Sequence, residues 1–296
     1  MKINRPISAI IAGVILSSMA AACSSNPSHA SGTASTTATG SNPVGSLADR
    51  AIVNATSAKT IANRTANLNV TLAVSNGPHA TVTGPFNLAT GQGQLNLSIL
   101  GSSVVGGLPN PATLLYAGGN LYLQASGIIT SFDGNKPWAQ ITPTAVQQIF
   151  CLTMPGSSTS SLAKLAAGNP ASLLHVLDTP DMTVTASSNY PGGLVSGVSY
   201  YTVNINAKAA SKTATGEAKQ FFDDLASTST SAPITVGINS SGVLRVLSAS
   251  FKSSGSDVLI QMNLSNFGVA VNVVAPSPSL VGPLNLPGNC VTSSNS

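Results

Sequence analysis

The sequence predicts an α+β domain: one long antiparallel sheet with helices inserted between groups of strands. Three observations carry this prediction. From Leu68 onward, apolar side chains alternate with Asn, Thr and Ser at a period of two. Short Gly- and Asn-rich turns separate these runs. Amphipathic stretches of helical spacing interrupt them, few enough to cover one face of a sheet.

A helix opens the domain. Ser46 can cap it, and Leu47, Ala51, Ile52, Ala55 and Ile61 recur at helical spacing. The period then switches to two. Leu68, Val70, Leu72 and Val74 form a first strand, followed by a turn at Asn76-Gly77-Pro78. Val82, Phe86 and Leu88 form the next, and Leu95, Leu97 and Ile99 follow Gly91-Gln92-Gly93. Leu114 and Tyr116 turn through Gly118-Gly119-Asn120 into Leu121 and Leu123. One apolar and one polar face, joined by tight turns, describe an antiparallel meander.

The middle reads as helical. Thr142-Pro143 is a cap with proline in the first turn. Residues 158 to 178 read as two short helices broken at Asn169-Pro170, with Leu162, Leu165, Leu173, Leu174 and Leu177 inward. Strands resume at Met182 to Ala186 and at Tyr201 to Ile205. Glu217 to Ala226 reads as a helix carrying Phe221, Phe222 and Leu225. Strands at Ile234 to Ile238, Leu244 to Phe251 and Val258 to Leu264 follow, and Val269, Val271 and Val273 form a last one before Pro276.

The N-terminus has a different composition. Lys2 and Arg5 precede an uncharged apolar run from Ile7 to Met19, then Ala20-Ala21-Ala22-Cys23. A positive start, a short apolar run and small residues at a cleavage point describe a secretory signal peptide over residues 1–22. The run is shorter than the ~20 residues of a membrane span. Small-small-Cys at its end resembles the lipobox of bacterial lipoproteins, in which the cysteine is acylated after cleavage just before it. Cys23 is thus the expected lipidation site. The expected location is the extracytoplasmic face of the cell membrane. Residues 23–45 are rich in Ser, Thr, Ala and Gly without hydrophobic periodicity, the composition of a tether. The folded domain is expected over residues 46–290, with a short tail at 291–296.

Only 7% of the chain is charged, against ~25% in ordinary soluble domains. The net charge of +4 falls by two once Lys2 and Arg5 leave. That balance offers no basic stripe, so no nucleic-acid partner is expected. Cys151 and Cys290 remain once Cys23 is used. In an oxidising compartment they are expected to pair, the alternative being two free buried thiols. Loop-entropy models give such a bridge at most ~4–5 kcal/mol.

Four places resemble one family. These are Leu121-Tyr122-Leu123 followed by Lys136-Pro137-Trp138, and Tyr201-Thr202-Val203 after a Gly-rich turn. The third is the hairpin of Ile234-Thr235-Val236-Gly237-Ile238 with Ser241-Gly242-Val243-Leu244-Arg245. The fourth is Leu264-Ser265-Asn266-Phe267-Gly268 followed by Val271-Asn272-Val273-Val274-Ala275-Pro276. In this order they resemble the actinobacterial lipoproteins of the LppX/LprG type, whose fold is similar to the LolA lipoprotein carrier. The resemblance implies an unclosed β half-barrel of about eleven strands, its concave face covered by helices. It also implies an apolar cavity between them that holds acyl chains. Alternation would point Val70, Leu72, Leu97, Leu123, Val203, Ile260 and Met262 toward that cavity.

Catalytic chemistry is not legible. His29 lies in the tether, His79 near a turn, and His175 beside Leu174 and Val176, where packing is expected. Ser161-Leu162-Ala163-Lys164 matches a Ser-x-x-Lys pattern, but its Ser-Asp-Asn and Lys-Thr-Gly companions are missing. Asp178 and Asp181, and the adjacent Asp223-Asp224, lack metal-ligand neighbours. No enzyme activity, metal or cofactor is expected. Two functions remain: a membrane-anchored carrier or chaperone for a lipid or glycolipid, and a surface lipoprotein with a filled core serving a structural role or binding an envelope protein.

Overall fold

The computed structural model describes residues 46–75, 79–100, 111–124, 136–142, 169–188, 190, 195–228, 231–253 and 256–284. Helix α1 spans Leu47–Ala62, and strands β1 (Thr65–Val74), β2 (His79–Asn87), β3 (Gln92–Leu100), β4 (Ala112–Ala117), β5 (Asn120–Gln124) and β6 (Trp138–Ile141) follow. A 3-10 helix, Pro170–Asp178, leads to β7 (Met182–Ser187) and β8 (Val198–Asn206). Helices α2 (Ala207–Thr213) and α3 (Gly216–Thr228) precede β9 (Ser231–Asn239), β10 (Leu244–Ser253) and β11 (Ser256–Ser265). Strand β12, Val281–Pro283, ends the described chain of elements.

The twelve described strands share one sheet, ordered β12-β6-β5-β4-β3-β2-β1-β11-β10-β9-β8-β7. The two end strands do not pair, so the sheet is an unclosed half-barrel. Every ladder is antiparallel except that of β12 with β6. The meanders β1–β6 and β7–β11 meet where β1 pairs with β11, Val70 opposite Met262 and Leu72 opposite Ile260.

The register sorts the two faces. One row runs Val184, Val203, Ile234, Ala249, Ile260, Leu72, Ala80 and Ile99. The adjacent row on the opposite face runs Thr185, Thr202, Thr235, Ser248, Gln261, Thr71, Thr81 and Ser98. A one-residue slip would exchange these two sets, so burial of the first fixes the register. Uncharged hydroxyls and amides therefore cover a sheet face where Lys and Glu are usual. Gly84 is required within β2 because a Cβ there would lie 2.5 Å from the Gln94 carbonyl oxygen and 3.2 Å from Leu95.

The helices lie on the apolar face. Leu173, Leu174, Val176 and Leu177 of the 3-10 helix and Phe221, Phe222 and Leu225 of α3 join one buried cluster with the strand residues. The Ser46 cap is formed, its Oγ accepting from the Asp49 N–H at 3.0 Å. The buried side of α1, however, is Val53, Thr56, Ser57 and Thr60, while Leu47, Ala51 and Ile52 are exposed and Ile61 is half-buried. The helical spacing of those apolar residues marks a face, but the outward one. The inward hydroxyls are affordable because each has a partner: Thr56 donates to the Ile52 carbonyl and Thr60 to that of Thr56.

Three element assignments differ from the sequence expectation. The segment over Pro170–Asp178 is a 3-10 helix capped by Asn169, whose Oδ1 accepts from the Ala171 N–H at 3.0 Å. Helix α2 was not legible; Asn206 caps it by accepting from Ala209 N–H. Val269 to Val273 form no strand. Asn266 and Gly268 take positive φ, 47° and 85°, and turn the chain out of the ladder after β11. Val273 packs instead on Leu115, Tyr122 and Trp138 of the outer face, and the chain then adds β12 beside β6.

A candidate apolar binding face

The seven residues expected to line a cavity all lie on one face. Met262, Val70 and Leu97 share a cross-strand row with Tyr201, Val236, Leu247, Val82 and Ala112. Val203, Ile260 and Leu72 share the row beside it. Leu123 of β5 stands opposite Leu114, which stands opposite Leu95.

Their burial is uneven. Val203, Ile260, Met262 and Leu123 are 0–1% exposed, and Val70 is 6% exposed. Leu72 and Leu97 are only half-buried, as are Ala80, Val82 and Ile99 around them. So each row begins filled beneath the helices at β8–β11 and opens at β1–β3. The result is a contiguous apolar strip on the inner side of a sheet, partly accessible at one end. A filled core would bury inward-facing residues such as Leu72 and Leu97 as it buries Val203.

A second concavity, about 440 Å³, lies in the helical layer between the 3-10 helix and the α2–α3 corner. His175, Asp178, Thr179, Thr213 and Thr215 line it, with Phe222 among its walls. None of the seven residues borders it. His175 is not packed in the core as expected. Its side chain is 54% exposed and its Nδ1 lies 2.8 Å from Asp178 Oδ2. Residues three apart stand one above the other in a 3-10 helix, which brings these two side chains together. Ser57 of α1 also donates to Asp178 Oδ2, at 3.3 Å. Asp181 accepts from Thr213 Oγ1, and Asp223 pairs with Lys219 at 2.8 Å. Among the described residues no cluster of His, Cys, Asp or Glu could hold a metal ion. Likewise, no described helix is long and apolar enough to cross a membrane. Cys23, Cys151, Cys290, His29, Ser161 and Lys164 lie outside the described residues.

An unclosed antiparallel half-barrel with one apolar face under helices is the class that this geometry defines. The chain is similar to LprF from Mycobacterium bovis, with 16% identity and a TM-score of 0.45, over 79% of this chain and 99% of that one. It is similar to the Mycobacterium tuberculosis lipoprotein LppX, with 12% identity and a TM-score of 0.44, over 77% and 98%. A LolA superfamily protein from Nitrosomonas europaea matches at 10% identity and a TM-score of 0.25, over 74% and 94%. LppX and a LolA superfamily protein, which the sequence motifs resemble, are thus among the structures that the chain is similar to. No family model and no curated protein matches the chain.

Proposed function

We propose that this protein is a lipid-anchored binding protein, not an enzyme, that takes acyl chains of a lipid or glycolipid on the apolar face of its sheet. One observation carries the reading: the strip of Leu72, Ala80, Val82, Leu97 and Ile99 that faces inward yet is only half-buried. Each methylene removed from water there contributes ~0.8 kcal/mol. Among the described residues the strip itself is wholly apolar, so chain length and shape would govern selectivity more than directional bonds do. The proposal includes acylation of Cys23, which holds the protein at the extracytoplasmic face of the membrane beside its cargo. It also includes a Cys151–Cys290 disulfide.

Native mass spectrometry of protein expressed in a lipid-producing host tests the binding. A co-purifying lipid whose release requires organic extraction is the expected result. Protein that emerges at its bare mass under gentle activation would overturn it and leave the filled-core surface lipoprotein.

A further inference from the structure

Helix α1 is built inside out. At about 100° per residue, Leu47, Ala48, Ala51, Ile52, Ala55, Ala58 and Ala62 fall within one arc of roughly 140°. That arc faces away from the sheet: Leu47 is 83% exposed and Ile52 41%. Lys59, in the last turn, is the one charged residue in the arc. The opposite side buries Thr56, Ser57 and Thr60, whose hydroxyls are bonded to Ile52, Asp178 and Thr56 respectively. A surface helix normally shows the reverse distribution, charged outward and apolar inward.

Chain order says what the outward face meets. Under the anchoring proposed above, the acylated residue is Cys23, and the chain from it enters the described fold at Ser46, the cap of this helix. Twenty-three fully extended residues reach at most ~80 Å. By chain order the first turn of α1 is the part of the described fold tied most closely to the anchor. We infer that Leu47 and Ile52 insert into the interfacial region of the membrane and seat α1 on its surface. A helix laying an apolar face on the acyl boundary gains from each buried group, with the domain standing on the polar side. Arg50, in the same turn, donates to the Pro180 carbonyl at the rim of the 440 Å³ cleft. The seated turn thus holds that rim beside the lipid surface.

The inference rests on the anchor at Cys23, and the test separates the two. Full-length lipidated protein is reconstituted into phosphatidylcholine–phosphatidylglycerol vesicles whose acyl chains are brominated near the headgroup, and flotation is measured alongside fluorescence. One variant carries Leu47→Trp, an exposed position that folding does not use. The control carries Asn96→Trp, exposed on β3 on the polar face of the sheet, opposite the helices. Both retain the native Trp138. The expected result is that the position-47 indole loses most of its emission to bromine while the position-96 indole keeps it. Equal quenching with flotation intact overturns the seating of α1 and spares the anchor. A blue-shifted but unquenched indole at position 47 also overturns it, marking a second protein copy as the occupant. Loss of flotation overturns both.

Discussion

Thr60 and Leu244 are 184 residues apart and bonded: the Thr60 Oγ1 accepts the Leu244 N–H at 2.9 Å while donating to the Thr56 carbonyl at 2.7 Å. Leu244 begins β10 beside a register shift against β9, so its N–H needs a partner outside the regular ladder. A fully buried hydroxyl supplies it. Thr60→Val keeps the shape and removes both bonds. It should cost about 1–3 kcal/mol, because the Leu244 amide stays buried and loses its acceptor. Urea unfolding checks this; a loss indistinguishable from zero would show that the amide finds another acceptor.

That bond illustrates what the sequence hid. The strands were legible because alternation is a local signal: Leu68-Asn69-Val70-Thr71-Leu72 declares its two faces without reference to any partner. So were Ser46 as a cap and the helix carrying Phe221 and Phe222. The direction in which α1 faces depends instead on what Thr56, Ser57 and Thr60 meet, and those partners come from Asp178 and Leu244 as well as from the helix itself. The seven residues placed on one face by alternation are on one face, but alternation carries no information on filling. Leu72 and Val203 read alike in the sequence and differ in the fold, Leu72 half-buried and Val203 fully buried, because filling depends on what packs over each from elsewhere in the chain.

Cys23→Ala should abolish membrane anchoring. The variant is expected as uncleaved precursor or in the aqueous phase after detergent partitioning. An unchanged detergent fraction would rule out acylation at this position.

The Cys151–Cys290 pairing predicts an intact mass two hydrogens below that of the fully reduced chain, with alkylation of neither cysteine until reductant is added. Labelling of both thiols without reductant would show them free.

Alkaline pH should destabilise the fold through two tyrosines. Burial raises the pKa of Tyr116, which packs edge-on to Phe86 with ring centroids 5.5 Å apart. Burial, and then the neighbouring Tyr200, raises that of Tyr190, whose hydroxyl is buried without a hydrogen-bond partner. Both groups hold their protons more tightly folded than unfolded. Their contribution is therefore complete below the ordinary tyrosine value of 10.0 and is lost as pH rises from there through the folded values. Urea midpoints from about pH 9 to about pH 11 should fall, and Tyr116→Phe should flatten the slope. A slope that Tyr116→Phe leaves unchanged would assign the alkaline transition to other groups.

The two ends of the inner face should answer the same substitution in opposite ways. Val203 is 0% exposed, between Val184 and Ile234 on β7 and β9 and under the helices. Val203→Trp has no space to enter and should overpack, costing about 1–3 kcal/mol or more. Val82 is half-buried at the open end, opposite Val70 and Leu97. Val82→Trp should leave the melting temperature nearly unchanged and displace bound lipid, because the indole takes apolar area that an acyl chain would cover. Thermal unfolding and lipid content are measured on both variants. Equal destabilisation at the two positions, with no lipid in the wild type, would make the β1–β3 end as filled as the rest. That result would favour a structural lipoprotein over a carrier. Tolerance at Val82 together with lipid loss would locate the bound chain on β1–β3, where the inward residues are half-buried.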